Sequence, residues 1–176
     1  MKFVNVHQRL LYASPARVGA LIDALASPED KLWPRRHWPR MVLDGPLAVG
    51  AAGGHGPIGY VVQAHAPGRS VRFGFTAPRG LHGWHALEVL DATPVHCVLE
   101  HRLEIDTRGL ATLSWPLVYA PLHDALLEDA LANAQSALGL APHTVPWSPW
   151  VRLLRAVVSP RPRTSTPTPT KAHHVH

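Results

Sequence analysis

The sequence has few cysteines and no long apolar run, and each shortage excludes a class of protein. It contains one cysteine, Cys97, so an internal disulfide framework is excluded. No apolar run approaches the roughly 20 residues that a membrane-spanning helix needs. The amino-terminal MKFVNVHQRL also lacks the apolar core of a signal peptide. With 46% hydrophobic residues, the chain is expected to form one domain with a proper core. Because neither a signal peptide nor a membrane-spanning helix is predicted, this domain is expected to be cytoplasmic.

Acidic residues are absent from the last part of the chain. All 12 acidic residues and 12 of the 17 basic residues precede Trp147, so the body is formally neutral. The net charge of +5 therefore belongs to residues 147–176, and the body gives no electrostatic reason to expect nucleic-acid binding. We predict a domain over residues 1–140, a short basic amphipathic segment over 141–158, and a disordered Pro/Thr/His-rich tail over 159–176.

Alternating apolar and polar residues in the first two thirds of the chain predict β-strands. The first of these segments is typical of a half-buried strand. One of its faces is formed by Val4, Val6, Leu10 and Tyr12, and the other by Asn5, His7 and Arg9. Turn signals such as Pro67-Gly68 separate the later strands, and the short connections imply antiparallel hairpins. The predicted strands are 3–12, 40–44, 47–52, 57–65, 70–76, 83–90 and 95–106.

Two short helices are predicted between the first and second strands. Ser14-Pro15 supplies an N-cap and a proline at the first helical position, and apolar residues follow at helical spacing. Ser27-Pro28 repeats this signal, and Asp30 stands three residues after Ser27 as the acid of a capping box. Pro34 is expected to end this second helix, because proline cannot continue the helical hydrogen bonding.

A long amphipathic helix is predicted over residues 117–138. Its apolar stripe recurs every three or four residues and is formed by Tyr119, His123, Leu127, Leu131, Ala134 and Leu138. Gly139 follows as the C-terminal stop, and Trp115-Pro116 is expected to interrupt or kink the preceding helical region. A helix of this kind after an antiparallel sheet must pack its stripe against the sheet, and a curved sheet then encloses a cavity.

This order of elements and four local segments resemble the SRPBCC superfamily, which includes START lipid-transfer domains, polyketide cyclases and the birch pollen allergen family. The segments are VNVHQRLLYASPARVGALI, DGPLAVGAAG, PGRSVRFGF and WPLVYAPLHDALLEDAL, and the last is similar to uncharacterised bacterial members. The resemblance implies an α+β helix-grip (START-like) fold. Its parts are a seven-stranded curved antiparallel sheet, two short helices after strand 1, and a long C-terminal helix packed across the sheet.

The resemblance also implies a hydrophobic cavity between the sheet and the C-terminal helix, and strand alternation indicates which residues face it. The cavity candidates are Val71, Phe73, Phe75, His85, Leu87, Leu99, His101, Leu103, Trp115, Tyr119, His123 and Leu127. His85, His101 and His123 lie on otherwise apolar faces, where each is either a satisfied core residue or a ligand contact. The expected ligand is a small hydrophobic molecule: a lipid, isoprenoid, quinone or aromatic polyketide.

The segment GHGPIG matches G-x-G-x-x-G, but its context is wrong for dinucleotide binding. Pro57 and a β-like run follow the glycines, whereas the dinucleotide motif must open a helix. The segment resembles instead the glycine-rich loop of the birch-allergen family, which borders the cavity. A loop at the cavity mouth and a plain hairpin turn are both consistent with the sequence. The mouth candidates are Gly53, Gly54, His55 and Gly56.

Metal and nucleophile signatures are not found in the sequence, so no metal or cofactor is predicted and catalytic residues remain unknown. His85-x-x-Glu88 and His101-x-x-Glu104 place their side chains on opposite faces of a strand. Cys97 is expected to be buried among apolar residues, where it acts as a small hydrophobe.

Three functions remain open, and hydrophobic-ligand binding without catalysis is favoured. The enzyme alternative is cyclase or dehydratase chemistry, with His85, His101 or His123 as the general acid or base. The third is a peripheral membrane or partner-binding module, in which residues 147–163 give weak, salt-sensitive contact with an anionic membrane. The competing interpretation of that segment is that Trp147, Trp150 and Leu154 fold back as a cover over the body. The sequence does not indicate the oligomeric state.

Overall fold

The computed structural model describes residues 1–158 and contains a seven-stranded antiparallel sheet. The strands are β1 Lys2–Leu11, β2 Val42–Leu43, β3 Ala52–His55, β4 Ile58–Ala66, β5 Ser70–Ala77, β6 Leu81–Leu90 and β7 Cys97–Thr107. Their order across the sheet is β1-β7-β6-β5-β4-β3-β2. The strands from β2 to β7 follow one another as neighbours, whereas β1 returns to pair with the last strand. The proposed tail over residues 159–176 lies outside the described residues.

The helices pack on the concave face of the sheet. They are α1 Pro15–Asp23, α2 Ala111–Ser114, a π-helical turn Trp115–Tyr119, α3 Ala120–Ala137 and α4 Pro149–Val158. Helix α2, the π-helical turn and α3 form one continuous helical segment, which begins earlier than the periodicity predicts. The π-helical turn coincides with Trp115-Pro116, where the missing N–H of proline disturbs the regular hydrogen bonding.

Gly139 ends the long helix as predicted. Its φ is 79°, and its N–H donates to Ser136 O at 3.0 Å, while Leu140 N–H donates to Gln135 O at 2.9 Å. These two bonds form a Schellman motif, which requires the left-handed conformation that glycine adopts at little cost.

The second short helix is not formed, because the segment between α1 and β2 is a series of turns. The Asp30 carboxylate accepts hydrogen bonds from the backbone N–H groups of Ala26, Leu32 and Trp33 at 3.0, 2.9 and 2.8 Å. An aspartate that bonds neighbouring backbone groups in this way stabilises a turn in competition with a helix. The Ser27–Asp30 spacing therefore belongs to a turn, and the prediction of a capping box is wrong.

The strand predicted over residues 47–52 is also displaced, because β3 begins at Ala52. A turn occupies the preceding residues: Ala51 N–H donates to Ala48 O at 3.0 Å, and Gly50 has a φ of 94°. The strand predicted over residues 40–44 shortens to the two residues of β2. The other five strands agree with the prediction to within about two residues at each end.

Strand β1 buries its polar face and exposes its apolar face. Val4 is 61% exposed and Val6 42% exposed on the convex side, whereas Asn5, His7 and Arg9 point toward α3. The polar side chains of β1 point inward because α3 presents carboxylates to this edge strand. The interface between β1 and α3 is therefore polar, although hydrophobicity alone would place the valines inside.

The core is densely packed at one end of the concave face. Leu131, Ala134 and Leu138 from the long helix pack there against residues of α1, β1 and β7. Leu99 and Cys97 are fully buried in this cluster. Toward the other end of the sheet, α3 and the strands separate, and this separation creates the cavity described below.

Candidate functional site

A cavity of about 200 Å³ lies between the concave face of the sheet and α3. Ten of the twelve predicted cavity residues line it: Phe73, Phe75, His85, Leu87, His101, Leu103, Trp115, Tyr119, His123 and Leu127. The other two, Val71 and Leu99, lie in the solid core toward α1, because they stand nearer the closed end of their strands. The alternation identified the correct faces. Whether these residues bind a ligand stays a prediction.

The glycine-rich segment forms the tight hairpin between β3 and β4. Gly53 lies so close to β2 that a Cβ there would stand 1.9 Å from Val42 O, and Gly56 has a φ of 53° in the turn. Of the four mouth candidates, His55 lines the cavity, while Gly53, Gly54 and Gly56 lie beside it. The ring centroid of His55 is 4.7 Å from the ring centroid of Trp33. The glycines thus allow close backbone approach, and the histidine supplies the cavity contact.

The segment between α1 and β2 supplies a wall that the sequence analysis missed. Leu32, Trp33, Trp38 and Met41 line the cavity from this segment. Trp33 Nε1 donates to Pro39 O at 2.9 Å, and Asp30 fixes the preceding turn, so the wall is held by local hydrogen bonds. The only sequence signal was the presence of large apolar residues in a proline-rich stretch.

Three imidazoles form a row along the cavity wall. His85 Nδ1 lies 3.2 Å from His101 Nε2, and the ring centroids of His101 and His123 are 5.0 Å apart. His85 also stacks on Phe73 and Phe75, with centroid distances of 5.1 and 5.0 Å.

Several nitrogens of this row have no hydrogen-bond partner within residues 1–158. They are His85 Nε2, His101 Nδ1 and both ring nitrogens of His123. Burial lowers the pKa of His85 and His101 well below 6.5, and it also lowers the pKa of His123. The row therefore presents neutral imidazoles, each able to donate one hydrogen bond and accept another.

His55 extends this set on the opposite side of the cavity. Its Nδ1 lies 3.3 Å from the hydroxyl oxygen of Tyr60. Burial lowers the pKa of His55 to about 4 and raises the pKa of the Tyr60 hydroxyl. Both groups are therefore neutral at physiological pH and available for hydrogen bonding.

A charged cluster joins β1 to α3 next to the imidazole row. His7 Nδ1 lies 3.0 Å from Glu128 Oε1, and His7 Nε2 lies 3.1 Å from Asp124 Oδ1. Arg9 donates to Glu128 Oε2 at 2.7 Å, and Asn5 donates to Asp124 Oδ1 at 3.0 Å. The hydrogen bond to Asp124 raises the pKa of His7 against the opposing effect of burial. The sequence gives no signal for this cluster, because its β1 members and its α3 members are more than 100 residues apart.

Helix α4 covers the mouth of the cavity. Val151 packs in one cluster with Trp38, Leu126 and Leu127, and Leu154 is also buried. The Arg155 guanidinium lines the cavity and lies 3.8 Å from the ring centroid of Trp147. It also donates to the carbonyl of His37. This packing favours the cover interpretation of residues 147–155, while Arg161 and Arg163 lie outside the described residues.

A substitution at the cavity mouth tests whether α4 covers the cavity. Replacing Arg155 by Ala removes the cation–π contacts with Trp38 and Trp147 and is expected to cost about 1 kcal/mol of unfolding free energy. We also expect faster entry and exit of an apolar fluorescent probe, measured by stopped-flow mixing. Arg152→Ala, an exposed arginine on the same helix, is the control. Equal probe kinetics in the two variants would contradict the cover.

No helix among residues 1–158 is long and apolar enough to cross a membrane.

Comparison with known proteins places the fold but not the activity. No family model matches the chain, and no curated protein sequence matches it. A solution NMR structure of a protein from Thermobifida fusca is 14% identical, with a TM-score of 0.60 over 81% of this chain and 99% of that one. Norcoclaurine synthase from Thalictrum flavum, in complex with dopamine and hydroxybenzaldehyde, is 16% identical, with a TM-score of 0.59 over 83% of this chain and 90% of that one.

A third structure, CalU16 from Micromonospora echinospora, is 13% identical and has a TM-score of 0.55 over 88% of this chain and 82% of that one. At these identities the likeness concerns architecture alone. In this chain a long C-terminal helix packs across a seven-stranded antiparallel sheet, which is the helix-grip architecture. The chain therefore has the helix-grip fold, as the sequence resemblance implied.

Proposed function

We propose that the protein binds a small aromatic or isoprenoid molecule with at least one polar group in the cavity between the sheet and α3. One observation carries this proposal: buried imidazole nitrogens without partners in residues 1–158 lie in the wall of an otherwise apolar cavity. Buried polar groups are normally hydrogen-bonded. A ligand hydroxyl or carbonyl would satisfy them while its apolar part fills the remaining space.

The size and lining of the cavity favour a compact ligand over a two-chain lipid. A volume of about 200 Å³ is below the range of roughly 300–1,000 Å³ that is typical of drug-sized ligands. Aromatic rings at Trp33, Phe73, Phe75, Trp115 and Tyr119 line the wall. Such a wall favours flat rings, which pack by offset or edge-to-face contact. The complex of norcoclaurine synthase with dopamine and hydroxybenzaldehyde is an example of small aromatic molecules bound by this fold.

Filling the cavity from within tests the proposal. Leu103 is fully buried on β7 and lines the cavity, so Leu103→Trp places an indole where the ligand would lie. We expect the affinity for an apolar fluorescent probe to fall roughly tenfold or more, while overpacking costs about 1–3 kcal/mol of stability. The measurements are equilibrium probe titration and chemical denaturation of the folded variants.

Val4→Trp is the matched control, because Val4 is 61% exposed on the convex side of the sheet. It should leave the probe affinity at the wild-type value. An unchanged affinity in folded Leu103→Trp would show that the probe does not enter the cavity. Native mass spectrometry of the purified protein, followed by extraction, would identify a molecule that co-purifies with wild type and is lost from Leu103→Trp.

A second candidate function is cyclase or dehydratase chemistry on the bound molecule. The observation that favours it is the His85–His101 pair, whose neutral rings can donate and accept a proton within the cavity. The two candidates differ in what His101→Phe does to a ligand identified by mass spectrometry. Retained binding with lost turnover would support catalysis, whereas absence of turnover in the wild type would leave binding as the function.

A further inference from the structure

We propose that His7, His123 and Asp124 form a binding site for a divalent transition-metal ion at the edge of the cavity. Each residue offers one ligand atom, and the three atoms lie within 4.8 Å of one another. The site combines the first strand with the middle of the long helix. This inference does not depend on the nature of the organic ligand, because His7 and Asp124 lie outside the cavity lining and only His123 is shared with it.

The donor set suits such an ion. Two imidazole nitrogens and one carboxylate oxygen are ligands that Zn²⁺, Fe²⁺ and Co²⁺ accept in proteins. His7 Nε2 lies 3.1 Å from Asp124 Oδ1, and His123 Nδ1 lies 3.6 Å from the same oxygen. Ligand atoms bound at about 2.1 Å from one ion lie roughly 3–4 Å apart. Small side-chain adjustments therefore bring the three atoms around a common centre.

Neighbouring groups hold the donors in place. Glu128 Oε1 lies 3.0 Å from His7 Nδ1, so a proton on that nitrogen leaves Nε2 directed at Asp124. Arg9 in turn holds Glu128, and Asn5 donates to Asp124. A carboxylate bonded to the far nitrogen of a histidine is the arrangement that orients metal-binding imidazoles.

His123 is the residue that a purely structural cluster does not explain. His7, Asp124 and Glu128 satisfy one another, but neither nitrogen of His123 has a hydrogen-bond partner in the described part of the chain, since its Nδ1 approaches Asp124 Oδ1 only to 3.6 Å. A metal ion would give Nδ1 a partner. His123 also lines the cavity, so this site would lie at the cavity edge.

The test uses the full chain with His173, His174 and His176 replaced by Gln, because imidazoles in the tail can bind metal adventitiously. After treatment with a chelator, this protein is titrated with Co²⁺, whose visible absorption reports the ligand set, and with Zn²⁺ by calorimetry. We expect one ion per chain and a rise in melting temperature with added Zn²⁺. His123→Gln and Asp124→Asn should each weaken binding at least roughly tenfold.

His65→Gln is the matched control, since His65 also pairs with a carboxylate, that of Asp23 at 3.1 Å, but away from the cluster. It should bind Co²⁺ as the parent does. His123→Gln removes no hydrogen bond seen within residues 1–158, so it is expected to fold, and circular dichroism verifies this. Absence of stoichiometric binding, or equal binding by the parent and folded His123→Gln, overturns the proposal. Failure here leaves the cavity proposal intact, because the apolar-probe titration is carried out without metal.

Discussion

Lowering the pH from 7.5 to 5 is expected to lower the unfolding free energy through His55 and His85, with about 2 kcal/mol lost through His55 alone. Burial lowers the pKa of His55 to about 4 and that of His85 well below 6.5. His55 therefore stays largely neutral in the fold at pH 5 and His85 resists protonation in the same direction, whereas unfolded histidines, with a pKa near 6.5, take up a proton. A histidine whose pKa is lower in the folded than in the unfolded state contributes its full stabilisation above the unfolded pKa of about 6.5. This stabilisation is lost as the pH falls below that value toward the folded pKa.

The amount for His55 follows from its two pKa values. At pH 5 an unfolded histidine gains about 2 kcal/mol by protonation, relative to pH 7.5, and the folded His55 gains little of this; His85 adds to the loss in the same direction. The hydrogen-bond partners of these rings are Tyr60 and His101, so neither ring is paired with a carboxylate in the described residues. A loss of this size is a large part of the roughly 5–15 kcal/mol that stabilises a typical domain.

Urea denaturation between pH 5 and 7.5 measures this effect, and His85→Phe assigns its share. The substituted ring keeps the stacking on Phe73 and Phe75 but cannot titrate, so the loss of stability between pH 7.5 and pH 5 should become smaller. Phe73→Leu, a wall substitution without a titrating group, should lower stability equally at every pH. Identical pH dependence in wild type and His85→Phe would mean that His85 charges in the folded protein.

Replacing Asp30 by Ala is expected to cost about 3 kcal/mol or more, because three backbone N–H groups lose their acceptor. Those groups belong to Ala26, Leu32 and Trp33, and Asp30 is only 5% exposed. Ala26 also has a φ of 62°, a left-handed conformation that a non-glycine residue keeps only when its surroundings enforce it. The same substitution should weaken probe binding, because Trp33 follows directly from this turn and lines the cavity.

Asp30→Asn provides the matched control for this prediction. Its amide oxygen can still accept the bonds from Leu32 and Trp33, so we expect it to retain most of the stability lost in Asp30→Ala. Chemical denaturation and probe titration of both variants are the measurements. A loss below about 1 kcal/mol in Asp30→Ala would show that water or the backbone replaces the carboxylate.

The fold was predictable from the sequence because its signals are local. Alternation along β5, β6 and β7 identified the inward faces, since each face packs against apolar partners. Gly139 identified the end of α3 because only a left-handed residue completes that motif. Asp30 shows the limit of local reasoning, because the same spacing from Ser27 suits a helix cap and a side-chain-stabilised turn.

The parts of the site that escaped prediction depend on distant neighbours. Strand β1 alternates cleanly, but which face is buried depends on Asp124 and Glu128, which follow more than 100 residues later. The same distance hid the grouping of His7 with His123. Arg155 at the mouth belongs to a segment whose composition fits both interpretations, a cover over the body and contact with a membrane. Pairing of this kind is visible only in three dimensions.

The return of β1 to the far edge of the sheet has a consequence for how the chain folds during synthesis. Lys2 pairs with Asp106 and Leu11 with Cys97, so the first strand to leave the ribosome must wait for the last strand before it gains a neighbour. Its polar face then needs α3, which is made later still. Contacts with such long sequence separation slow folding, because the intervening chain must lose entropy before they form. During this interval Val4, Val6 and Leu10 lie on an unpaired strand, where chaperones or other nascent chains can bind it.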